Sequence, residues 1–143
     1  MKCILFSALL LLGAAAGVRA QCDQKISWKA SKAVFVDSSG KEERVDEAPL
    51  RIETSPGEIV ILRGEGGEDR MSGPVKSFTC EWKEPFKNGK ATYAADLSDA
   101  QGESLRVRLE FVAEEGKIKL TLIPENMGGR RILVQVESYE PVR

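Results

Sequence analysis

Few side chains in this 143-residue chain are equipped for chemistry. There is no histidine, so imidazole cannot serve as base, acid or metal ligand, and Ser-His-Asp and Cys-His arrangements are excluded. The thiols are Cys3, Cys22 and Cys80. Cys3 sits in a leader that is expected to be removed, leaving Cys22 and Cys80 as an even pair. In an oxidising compartment such a pair is most simply a structural disulfide, whereas a redox dithiol would have its cysteines close in sequence. A zinc site would need four ligands from these two cysteines and carboxylates, so no metal is expected.

The remaining options are carboxylate-pair and Ser-Lys chemistry. Asp96 and Asp99 are the pair to consider for a hydrolase, but one falls at a strand end and the other in the turn that follows, which does not aim them at one bond. Gly64 to Asp69 combines Gly66-Gly67 with Glu65, Glu68 and Asp69. A phosphate cradle would need a following helix and a lysine, and a calcium loop would need regularly spaced oxygen ligands. Both are lacking, so the stretch reads as a flexible connector. No cofactor is expected.

These residues follow a leader. Lys2, an apolar run from Ile4 to Leu12 broken only by Ser7, and small residues ending in Val18-Arg19-Ala20 read as a secretory signal peptide over 1–20, cleaved after Ala20. The run is shorter than the roughly 20 apolar residues needed to cross a bilayer. Lipid attachment at Cys22 is disfavoured, because Arg19-Ala20-Gln21 lacks the pattern such processing uses. Residues 21–143 then form one secreted or periplasmic domain, long enough for a single core. The 21 basic and 22 acidic residues are interspersed, which leaves no electrostatic footprint for nucleic acid and no basic amphipathic helix for a membrane.

The elements that must position these groups are strands. Leu105, Val107, Leu109 and Phe111 alternate with polar residues, Glu115-Gly116 turns the chain, and Ile118, Leu120 and Leu122 alternate again, as two half-buried antiparallel strands require. Tyr93, Ala95 and Leu97 share a face before them, and Ile132, Val134 and Val136 after them. Phe78, Cys80 and Trp82 open the series, so the expected bridge lies in the core. Upstream, Ile26, Trp28 and Ala30 alternate, Ala33 to Val36 is a short apolar run, and Leu50 to Thr54 is a further strand. Ile59 to Leu62 reads as a strand covered on both faces. Lys41 to Glu47 is too charged to bury and reads as a solvated loop or the exposed tip of a strand pair.

The prediction is an all-β, single antiparallel domain of about eight or nine short strands, with an up-and-down meander in the C-terminal half, closing as a barrel or packing as a sandwich. An immunoglobulin pattern fails, since Trp28 is too close to Cys22, Phe78 stands where a Tyr is required, and too many strands follow Cys80. In architecture the chain resembles the lipocalin-like barrels, with Trp28 on the first strand, although Ile26-Ser27 replaces the Gly-x of their Gly-x-Trp pattern.

Three functions are compatible with these residues. The first is a non-catalytic binding or interaction module engaging a protein or glycan. The second is a hollow barrel carrying a small apolar ligand, which predicts an internal cavity. In a filled barrel or sandwich, Phe78, Trp82, Leu109 and Phe111 would instead pack against one another. Tyr93 or Trp82 would serve glycan stacking only if exposed. The third is a carboxylate hydrolase, and the reading favoured overall is not an enzyme.

Overall fold

The computed structural model describes residues 23–142, all strand and connection, with no helix among them. The expected leader over 1–20, its expected cleavage after Ala20, and Cys22 lie outside the described residues. Eleven strands form one antiparallel sheet: β1 (Ile26–Ala30), β2 (Ala33–Val36), β3 (Glu42–Asp46), β4 (Leu50–Thr54), β5 (Glu58–Arg63), β6 (Asp69–Glu84), β7 (Asn88–Ser98), β8 (Ser104–Glu114), β9 (Lys117–Pro124), β10 (Arg131–Gln135) and β11 (Ser138–Pro141). The order across the sheet is β11-β1-β4-β5-β6-β7-β8-β9-β10-β2-β3.

The meander thus runs from β4 to β10, further than the C-terminal half alone. The count of eight or nine strands is corrected to eleven. Lys41 to Glu47 contains an edge strand, because β3 pairs with β2 while leaving most of its side chains in water. The C-terminal residues after Gln135 form a separate strand, because Val136 and Glu137 divert the chain from β9 to β1.

The sheet bends into a half-barrel for a covalent reason. β1 and β2 stand far apart in the strand order yet are joined by Ser31 and Lys32 alone. β10 and β11 are likewise joined by Val136 and Glu137, and the Glu137 amide donates to the Lys29 carbonyl at 2.8 Å. Each of these short links carries the chain from one end of the sheet towards the other.

Hairpin chemistry sets the register. Glu115 and Gly116 have φ of 52° and 80°, the left-handed pair of a two-residue hairpin whose twist matches its strands. Pairing then places Leu109 opposite Tyr93 and Leu122, and Phe111 opposite Ala91 and Leu120, all buried. Asn88-Gly89, a dipeptide typical of tight turns, begins β7. Gly89 has φ of 131°, and a Cβ there would stand 2.4 Å from the Glu81 carbonyl oxygen, so only glycine fits this irregular pairing with Trp82.

One half of the concave face is filled by rings. Trp28 stacks on Phe111 with centroids 4.4 Å apart, and Phe86 lies 4.7 Å from Tyr139 and 5.6 Å from Trp82. Beneath them Thr54, fully buried, accepts a hydrogen bond from the Trp28 indole Nε1 at 2.9 Å. Burial pushes the Tyr93 phenol above its ordinary range, and a hydrogen bond with the same Thr54 partly offsets that.

Candidate ligand pocket

The other half of the concave face is not filled. Period-two alternation brings Leu97, Leu105, Val107, Leu122 and Ile132 to one wall and Leu50, Ile61 and Met71 to the opposite one, around a cavity of about 270 Å³. The wall is continuous because cross-strand partners share a face: Leu97 pairs with Leu105, Leu122 with Ile132, and Ile61 with Met71. Phe35, opposite Ile132, extends it onto β2.

The mouth of this cavity is charged. Arg44 pairs with Phe35 and Asp46 with Ala33, so both point to the pocket face of edge strand β3. Arg63 follows Ile61 by two residues, and Asp69 precedes Met71 by two, so these also belong to that face. The Arg63 guanidinium donates from Nε to Asp46 Oδ2 and from Nη1 to Asp69 Oδ2, each at 2.6 Å. Asp46 also accepts from the Ala48 amide at 3.1 Å. Hydrogen bonding from Arg63, seconded by Ala48, holds the Asp46 carboxyl below its ordinary value, and Arg63 is raised in return. Arg44 lies over the Phe35 ring, 4.1 Å from its centroid.

The carboxylates considered for hydrolysis sit elsewhere and are engaged structurally. Asp96 accepts from Arg106 Nε at 2.8 Å and is held below its ordinary value chiefly by that bond. Asp99 accepts from the Gln101 and Glu103 amides and so shapes its own turn. Gly64 to Glu68 makes a tight turn, with the Gly67 amide donating to the Gly64 carbonyl at 3.1 Å, and Asp69 already belongs to β6. Tyr93 and Trp82 are buried, which removes them as glycan-stacking rings. Trp82, Leu109 and Phe111 lie in one core cluster as expected, but Phe78 is 37% exposed. Beyond Pro74, β6 has outrun its pairing with β5, so the concave side is less covered there. Cys80 lies on this part of β6, partly buried against the core. Its expected partner, Cys22, is outside the described residues.

Sequence reasoning missed the pocket mouth entirely. The available signal was the continuation of alternation past the apolar residues, from Ile61 to Arg63 and from Met71 back to Asp69. Compared with known proteins, the chain matches no family model and no curated protein. No helix among the described residues is long and apolar enough to cross a membrane.

Proposed function

We propose that this is a secreted, non-catalytic β-barrel module that carries a small apolar ligand in the cavity between β2, β5, β6, β8 and β9. The reading takes the sheet as a barrel closed through its two diverted strand pairs, β1–β2 and β10–β11. The observation that carries it is the cavity of about 270 Å³, lined mainly by aliphatic side chains and Phe35 with charged residues at its mouth, next to the buried core cluster. An apolar cavity of about 150 Å³ stays dry and admits benzene. This one has room for a bicyclic ring or a medium-length alkyl chain, near the lower end of the usual ligand-pocket range of roughly 300–1,000 Å³. A non-catalytic role is supported by the absence of histidine and by the structural engagement of Asp96 and Asp99. Secretion and a Cys22–Cys80 bridge belong to the same proposal.

The test is a fluorescence titration of the mature protein with N-phenyl-1-naphthylamine, a neutral dye that brightens in apolar surroundings. Saturable binding to the parent, abolished in Ala33→Leu, is the expected result, because the added methyl groups project into the cavity from β2. An Ala33→Leu protein that folds normally and binds the dye as the parent does would overturn the assignment.

A further inference from the structure

Resting on the cavity reading, the geometry points to a ligand with an anionic head, held at the mouth by Arg44 while its apolar tail occupies the cavity. The mouth bears four charged side chains, Arg44, Asp46, Arg63 and Asp69, and they are not equally committed. Arg63 spends Nε on Asp46 and Nη1 on Asp69. Asp46 is occupied on both oxygens, by Arg63 and by the Ala48 amide. Arg44 instead makes no ion pair within 4.0 Å and no side-chain hydrogen bond among the described residues, and acts on Asp46 only through space, as the least of the influences that hold that carboxyl down.

Position strengthens the case. The Arg44 guanidinium lies over Phe35, which is itself part of the cavity wall, so its fork is placed at the boundary between apolar wall and water. A guanidinium so held offers parallel N–H donors to a carboxylate or phosphate without first losing much side-chain freedom. The stacking also covers the Phe35 ring, which would otherwise face the solvent at the open edge. A tail inside the cavity therefore brings its head within reach of Arg44, the mouth cation that is not already ion-paired to two carboxylates as Arg63 is. Asp69, bonded through a single oxygen, is the competing site and would select a cationic head instead.

The experiment is calorimetric titration of the mature, oxidised protein with four eight-carbon probes: octanoate, octyl phosphate, octanol and octylamine. The expected result is that an anionic probe binds at least about tenfold more tightly than octanol, the lower margin of one charge-assisted hydrogen bond. In Arg44→Gln that margin disappears while octanol is unaffected, and in the parent it shrinks with added salt. Comparison of octanoate with octyl phosphate identifies the head. Equal binding of octanol and both anions, tighter binding of octylamine, or an undiminished anion margin in Arg44→Gln would each overturn the assignment to Arg44 while leaving the cavity reading standing. Failure of all four probes would overturn the cavity reading itself.

Discussion

The indole nitrogen of Trp28 and the hydroxyl of Thr54, 2.9 Å apart, form a buried polar contact inside an otherwise apolar core. The contact crosses from β1 to the neighbouring β4 and, through Tyr93, reaches β7 on the far side of the concave face. Replacing Thr54 by Val keeps the shape but strands the indole N–H and the phenol without their partner. The expected cost is about 1–3 kcal/mol, because a buried donor left unsatisfied loses its full hydration. Thr54→Ser, which keeps the hydroxyl, should lose only about 1 kcal/mol for the missing methyl group. Urea denaturation of the two variants checks the order.

Acid should release the ion contact at the pocket mouth. Arg63 keeps the Asp46 carboxyl below the ordinary value of 3.8, so the contact favours the folded state above that pH and is lost as pH falls through the lowered folded value. Asp46→Asn is therefore expected to be slightly less stable than the parent at neutral pH. The difference should narrow only below 3.8 and vanish once the parent carboxyl is protonated. Arg63 is about half exposed and Asp46 partly so, and added salt should shrink it too. Parallel denaturation curves between pH 2 and pH 6 measure this.

Gly73 is required by contact rather than by conformation. A Cβ at this position would lie 1.7 Å from the Asp96 carbonyl oxygen, a backbone atom of β7 that cannot swing aside. Gly73→Ala should force the strands apart and cost about 1–3 kcal/mol, the usual penalty of overpacking. Gly57→Ala, with nothing within 4 Å, is the matched control and should change little. Thermal melts of the two variants decide it.

The proposed bridge makes a distinct prediction. Closing the loop from Cys22 to Cys80 contributes about 4 kcal/mol in the chain-entropy model. Cys80→Ser should therefore lose several kcal/mol, and the mature parent should show no thiol reactive to Ellman's reagent after denaturation. A Cys80→Ser protein that melts with the parent would count against the bridge and against the oxidising compartment.

The meander was legible because its signal is local. Tyr93, Ala95 and Leu97, then Val107, Leu109 and Phe111, carry the alternation that the structure buries, with Leu105 partly buried against them. The pocket mouth was not, for a physical reason. Alternation equates charge with the convex face, yet at the open end of a curved sheet the concave face also meets water. Arg44, Asp46, Arg63 and Asp69 can therefore point inward and still be solvated. The exposure of Phe78 was hidden for a related reason. Strand length and neighbour length are independent, and β6 continues well past the end of its pairing with β5. Nothing in the local pattern reveals that the β2–β3 hairpin joins β10 rather than its sequence neighbours.

The pairing of β1 with β11 has a topological consequence. Ile26 stands opposite Pro141, and the Val142 amide donates to the Lys25 carbonyl at 2.8 Å, so the two ends of the folded domain meet. A short linker from Val142 to the residues ahead of Lys25, with Cys22 retained for the proposed bridge, would have little distance to span, and new ends could be cut at the solvent-exposed hairpin of Glu115 and Gly116. Such a circular permutant would bring β1 and β11, the most distant pairing partners in the chain, into sequence proximity. The closure of β1 on β11 would become a local event while the β8–β9 pairing becomes the long-range one, so the permutant should keep the same sheet but form β8–β9 late instead of early.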